Sequence, residues 1–87
     1  MKILAKEVGI LDKCDCELTV IEHDSKRYEA HITVVTPSCV TLKMESPFRA
    51  EPKLALELLN TEVENQQGLL LRLGLKALIN KVVGDLD

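Results

Sequence analysis

The stretch from Gly68 to Leu86 reads GLLLRLGLKALINKVVGDL, and its apolar residues dominate any account of how the chain folds. A helix at a protein surface normally has one apolar stripe and a polar back. Here apolar side chains recur around most of the helical circumference, with few charges between them. We therefore expect two different surfaces to cover this segment, one inside the chain and one on a second molecule.

The composition indicates a small aliphatic core. The 87 residues form one domain, 1–87, and they include one Phe, one Tyr and no Trp. Leu, Val and Ile must therefore supply most of the buried surface. A chain of this length buries only about 60–65% of the surface that its unfolded form exposes, and oligomerisation often extends such a core.

The charge pattern argues against nucleic-acid and membrane partners. The formal net charge is −3, and the basic residues are interspersed with acidic ones instead of forming the basic stripe that binds phosphates. Lys6 interrupts the apolar N-terminal run before it reaches the length of a signal sequence. Arg72 and Lys76 interrupt the segment 69–79, which is shorter than the roughly 20 residues of a membrane span. With three cysteines and no signal sequence, we expect a cytoplasmic protein with free thiols.

Alternating apolar and polar residues predict a sheet in the first half of the chain. The alternation over 16–21, 28–35 and 40–45 is typical of half-buried strands joined as an antiparallel meander. Turn residues lie at Asp24-Ser25 and at Thr36-Pro37-Ser38. The N-terminal segment fits either a fourth strand or a helical turn. We favour a strand that ends at Gly9, followed by a turn over Asp12 to Asp15.

The strand register follows from keeping apolar residues opposite each other. Facing residues in a hairpin have a constant sum of residue numbers. In the first hairpin, which turns at Asp24-Ser25, sums of 48 and 50 both place apolar residues opposite apolar ones, whereas a sum of 49 places apolar residues opposite polar ones. In the second hairpin, a sum of 74 places Ile32 opposite Leu42. The sheet then has one apolar face, composed of Cys16, Leu18, Val20, Tyr28, Ala30, Ile32, Val34, Val40, Leu42 and Met44.

The C-terminal half is expected to cover this apolar face with two helices. Pro52 suits the first position of a helix over about 52–64, after a connector over 46–51. Gly68 is a candidate C-cap, and Gly84 is expected to end a second helix that begins near Leu69.

Two other structures are compatible with the same half, namely one long helix over 52–84 and a fifth strand in the alternating leucines after Gly68. We favour two helices because Leu forms helices readily and because 69–78 contains no β-branched residue. The expected fold class is α+β: a three- or four-stranded antiparallel sheet over about 2–46, covered on one face by the helical part 52–84.

The cysteines are the first candidates for chemistry. A zinc site needs four ligands, usually as two close pairs. In the predicted meander Cys16 points to the apolar face, His31 points to the polar face, and Cys39 lies at the far end of the second hairpin. We therefore interpret Cys14, Cys16 and Cys39 as buried or incidental thiols, and we keep a thiol or metal site at these three residues as an alternative.

His31 is the other candidate, because it faces Glu17 or Thr19 according to the register. A carboxylate beside an imidazole can form an acid–base pair, but an exposed cross-strand charge pair is far commoner. No Ser-His-Asp or Cys-His arrangement and no glycine-rich phosphate loop can be assembled from the sequence. We therefore expect no catalytic residues and no cofactor.

These observations favour a small non-catalytic protein–protein interaction module. We expect it to bind itself as a homodimer, or another protein, through its Leu-rich last helix. The alternatives are an apolar-ligand-binding protein or enzyme that uses the cleft between sheet and helices, and the cysteine site. The predicted interface consists of residues of the last helix and one connector residue that fits either a docking loop or a plug of the core: Leu71, Leu75, Leu78, Ile79, Val82, Leu86 and Phe48.

Overall fold

A computed structural model describes residues 1–24, 26–66 and 68–86. It contains one four-stranded antiparallel sheet followed by two helices, so the α+β prediction is confirmed, including the fourth strand and the helix pair. Ser25 in the predicted first turn and Gln67 in the predicted helix break lie outside the described residues. The elements are β1 (Lys2–Leu11), β2 (Cys14–Asp24), β3 (Arg27–Val35), β4 (Thr41–Glu45), α1 (Pro52–Glu64) and α2 (Leu69–Leu86), and the sheet order is β1-β2-β3-β4.

The hairpin between β1 and β2 is tighter than the sequence predicts. β1 continues past Gly9 to Leu11, which pairs with Cys14. Asp12 and Lys13 have φ values of 48° and 65°, as in the two-residue type I′ turn whose twist matches that of the flanking strands. The predicted end of the strand at Gly9 and the predicted four-residue turn are therefore wrong, because this turn allows pairing to continue up to its two central residues.

The register between β2 and β3 is one of the two predicted. Leu18 lies opposite Ile32, which corresponds to a sum of 50. Between β3 and β4, however, Ile32 lies opposite Met44, so the sum is 76 and not 74. An even shift keeps the same side chains inside. It moves Leu42 towards the sheet margin and leaves Val40 in the loop, and both are exposed.

A loop displaced by one residue along the chain explains this shift of the second hairpin. The amide of Thr36 donates a 2.9 Å hydrogen bond to the carbonyl oxygen of Val40. In return, the amide of Val40 donates a hydrogen bond to the hydroxyl of Thr36. Cys39 has a left-handed φ of 65°, which turns the chain between them. The loop therefore spans 37–39 between Thr36 and Val40, instead of the predicted 36–38.

Both helices lie on one face of the sheet, α1 against β3 and β4, and α2 against β1. Pro52 begins α1 as predicted, but the C-cap is Asn65 in a right-handed conformation and not Gly68. α2 continues through Gly84 to Leu86. Val83 and Leu86 pack against the core, and we attribute the continuation to this packing, which opposes the roughly 1 kcal/mol cost of glycine in a helix.

The core fills the space between the sheet and the helices. Ser46 is the buried polar residue of this region, and its hydroxyl accepts a 3.0 Å hydrogen bond from the amide of Ala30, which ties the connector to β3. Neither helix, over the described residues, is long and apolar enough to cross a membrane. The largest fully buried side chains are Leu18, Val20, Ile32, Val34, Leu56, Leu59, Val63, Leu75 and Val82.

Candidate interaction surfaces

Most of the predicted interface residues of α2 lie inside the chain. Leu75, Leu78, Ile79 and Val82 are buried in the core. Leu71 and Leu86 are partly buried and pack against the same core. These six residues pack α2 into the chain's own core, so a second molecule on α2 would meet mainly a different side of the helix.

The opposite side of α2 carries three further leucines that the sequence-based interface omits. Leu69, Leu70 and Leu73 are 58%, 68% and 54% exposed, and their spacing places them together over the first two turns. Further along the helix, small exposed residues recur at helical spacing on the same side. We call this surface the outward face of α2, and it consists of Leu69, Leu70, Leu73, Ala77, Asn80 and Gly84.

Polar contacts of α2 border the outward face without crossing it. Arg72 donates a 2.9 Å hydrogen bond to the carbonyl oxygen of Gln66, and Lys76 forms an ion pair with Glu64 at the end of α1. On the side nearest β1, the Lys81 ammonium lies 3.3 Å from the Glu7 carboxylate. These contacts lie beside the outward face and leave it uncharged.

Phe48 lies at the helix-free face of the sheet and does not plug the core beneath the helices. Its half-exposed ring packs edge-on against His23, with ring centroids 4.7 Å apart, and the Arg27 guanidinium lies 5.3 Å from its centroid. His23 also contacts the Glu29 carboxylate at 3.1 Å. Backbone hydrogen bonds of 2.8 and 2.9 Å between Tyr28 and Arg49 hold the connector in this position.

A recess of about 570 Å³ lies at the other end of the helix-free face. The extension of β1 past Gly9 adds Ile10 to this face beside Val8, and the two side chains are 76% and 65% exposed. The cleft between sheet and helices, which the ligand-binding alternative requires, is filled by core side chains. The recess is lined by Val8, Gly9, Ile10, Asp15, Cys16, Glu17, Thr33 and Val35.

Among the described residues, no carboxylate is paired with His31 as an acid–base pair requires. The register places it opposite Thr19 and Glu45. Glu45 is engaged by Lys43 at 2.9 Å; this hydrogen bond lowers the pKa of Glu45 and raises the pKa of Lys43. The Nε2 atom of His31 is buried without a hydrogen-bond partner in the described part of the chain. The geometry therefore gives no support to catalysis at His31.

The three cysteines do not converge. Cys14 and Cys16 are buried on the helix-covered face, where their thiols donate weak hydrogen bonds to the carbonyl oxygens of Asp12 and Cys14. Burial raises the pKa of the Cys16 thiol. Cys39 is exposed in the loop after β3. No three His, Cys, Asp or Glu side chains among the described residues are placed to hold a metal ion.

Comparison of the chain with protein-family models, curated proteins and solved structures finds no match. Its function is therefore inferred from the geometry of two uncovered surfaces, the outward face of α2 and the recess in the sheet.

Proposed function

We propose that this chain is a small non-catalytic interaction module that self-associates through the outward face of α2. The observation that carries the proposal is the group of three adjacent leucines, each more than half exposed. Full burial of a leucine side chain contributes about 1.5–3 kcal/mol, so covering this group gives a substantial driving force for association.

The shape of the outward face suits a second copy in the antiparallel orientation. Large residues occupy its N-terminal half and small residues its C-terminal half. A two-fold axis at Ala77 brings Leu70 of one copy level with Gly84 of the other, so that leucines fit over small residues from both directions. Such a contact uses the same patch twice, as expected for a symmetric dimer.

Charge supports the same orientation. The outward face contains no ionised side chain, so two copies bring no like charges together there. Antiparallel helices also place the partly positive N-terminus of each helix beside the partly negative C-terminus of the other. A parallel arrangement would place leucines against leucines and like helix ends side by side.

The size of the surface indicates a weak dimer. Two copies contribute six partly exposed leucines, and removing each from water gives about 1–2 kcal/mol. Association costs about 4–15 kcal/mol in lost freedom of motion, which offsets much of this gain. A contact made by one 18-residue helix is also smaller than the roughly 1,200–2,000 Å² of stable complexes. We therefore expect a dimer that dissociates on dilution.

The substitution Leu70→Glu tests the proposal without opposing the fold. Position 70 is exposed in the first turn of α2, which contains no acidic residue, and a carboxylate there interacts favourably with the helix dipole. Leu54→Glu is a matched control. Leu54 is 40% exposed in the first turn of α1, which also lacks acidic residues, and it lies outside the outward face.

Sedimentation equilibrium over a range of concentrations distinguishes the outcomes. We expect the native chain and L54E to approach the mass of two chains as concentration rises, whereas L70E keeps the mass of one chain. Circular dichroism should show an unchanged helix content in both variants. A native chain that remains single at millimolar concentration, or an L70E variant that associates like the native chain, contradicts the proposal.

A further inference from the structure

Cross-strand pairing arranges the recess in two parallel rows of side chains. Glu17 lies between Val8 on β1 and Thr33 on β3, and Asp15 lies between Ile10 and Val35. Each row therefore has a carboxylate at its centre and a methyl-bearing side chain on both sides. The two carboxylates stand two residues apart on β2, which corresponds to about 6.7 Å along the strand.

Both carboxylates are accessible to a cation. Asp15 is exposed and forms no ion pair within the described part of the chain. Glu17 lies 3.6 Å from Lys6, and both side chains of this pair are about half exposed, so the contact is a weak surface ion pair. A basic ligand does not have to displace a buried partner from either group.

Within the described residues, the recess end of the helix-free face is also not covered by another segment of the chain. At the opposite end, Phe48 packs on His23 and covers the strands with the chain's own connector. At the recess, Val8 and Ile10 remain about two-thirds and three-quarters exposed. A sheet that is covered on one face by helices can receive a third layer of structure on the other.

We propose that this recess binds a basic amphipathic helix of a partner protein. Side chains four residues apart on a helix are separated by about 6 Å, which matches the spacing of Asp15 and Glu17. Lysine or arginine at positions i and i+4 would meet these carboxylates, and flanking leucines would cover Val8, Ile10 and Val35. The recess lies on the helix-free face of the sheet, away from the surface of α2 that the proposed self-association uses.

Charge complementarity selects this occupant over others. A purely apolar helix would cover the Asp15 carboxylate without a partner and would leave Glu17 only its weak ion pair with Lys6, which is costly. A second copy of the same face would bring the Asp15 and Glu17 pairs of both copies together, and their like charges repel. A basic helix pairs both carboxylates, and the net charge of −3 favours its approach.

A fluorescein-labelled peptide of about 15 residues tests the inference by fluorescence anisotropy. The probe contains leucine, alanine and lysine, with lysines at i and i+4 between leucines, and a matched peptide carries glutamate in place of lysine. The recess variant is Asp15→Asn with Glu17→Gln. The control variant is Glu29→Gln with Glu45→Gln, which removes the same charge from the same face outside the recess.

We expect the lysine peptide to bind the native chain and to bind the recess variant about tenfold more weakly, because two surface ion pairs are lost. Binding should weaken further as ionic strength rises. Val8→Thr with Ile10→Thr, which keeps the β-branched shape, should also weaken it severalfold. The glutamate peptide should not bind, and the control variant should bind like the native chain.

Three results overturn the inference: no binding of the lysine peptide, binding of the recess variant within twofold of native, or loss of binding in L70E. The last result would locate the peptide on the outward face of α2. The L70E substitution alters only the outward face of α2. If the L70E chain stays monomeric and still binds the peptide, the recess site does not depend on self-association. If the chain dimerises but does not bind the peptide, the recess site is disproved and the proposed self-association is not.

Discussion

Gly74 of α2 packs so closely against Leu11 of β1 that a β-carbon at position 74 would lie 2.9 Å from Cδ2 of Leu11. The same carbon would lie 3.2 Å from Cδ1 and 3.3 Å from Cβ, so rotating the Leu11 side chain alone does not create room. Glycine in a helix usually costs stability, but here it allows α2 to approach the end of β1. The position of α2 on the sheet thus depends on this pair of residues.

The substitution Gly74→Ala is expected to lower the free energy of unfolding by about 1 kcal/mol. Overpacking costs about 1–3 kcal/mol, and the gain in helix propensity returns only about 0.5–1 kcal/mol. In a Leu11→Ala background the two closest contacts are absent, so the same change should stabilise the chain by about 0.5 kcal/mol. Urea unfolding of the four proteins measures this reversal of sign, and additive effects of the two substitutions would contradict it.

The strand pairing could be predicted because one-sided burial leaves few registers. Leu18 opposite Ile32 is one of the two predicted registers that keep apolar residues on one face, and any odd shift is excluded by the same condition. The second hairpin could not be resolved in this way, since an even shift preserves the face. Its register depends on the Thr36–Val40 contacts and on the left-handed Cys39, for which a non-glycine residue gives no sequence signal.

The surfaces were harder to predict than the fold. Leu70 and Leu75 are both leucines of α2, yet Leu70 is exposed and Leu75 is buried. An almost uniformly apolar helix does not reveal which of its sides faces the sheet. The small residues Ala77 and Gly84 could have indicated the side of α2 that faces away from the sheet, because small side chains contribute little buried apolar surface to a core. Ile10 joined the recess only because pairing continued beyond Gly9, where the sequence indicated a strand end.

The cysteines should differ sharply in reactivity. In the folded chain we expect dithionitrobenzoate to modify one thiol rapidly, Cys39, because it is exposed. Cys14 and Cys16 should react only after denaturation, since both are buried and since the raised pKa of Cys16 leaves little reactive thiolate at neutral pH. Absorbance of the released thiolate counts the reacted groups. Rapid modification of a Cys39→Ser variant would contradict the buried position of the other two.

The antiparallel register of the dimer can be tested by disulfide trapping in a Cys39→Ser background. In that register Ala77 lies beside its own counterpart, so Ala77→Cys should form a disulfide-linked dimer under mild oxidation, provided the helices pack closely enough for disulfide geometry. Gly84→Cys should not, because Gly84 of one copy lies level with Leu70 of the other, about 21 Å along the axis from its own counterpart.

Ala50→Cys, on the exposed connector, measures cross-linking by random collision. Non-reducing electrophoresis at a concentration where the chain is dimeric gives the yields. Efficient trapping at both 77 and 84 would indicate parallel helices, in which every position faces itself. Trapping at 77 no faster than at 50, in a chain that still has the mass of two, would place the dimer contact away from the outward face of α2.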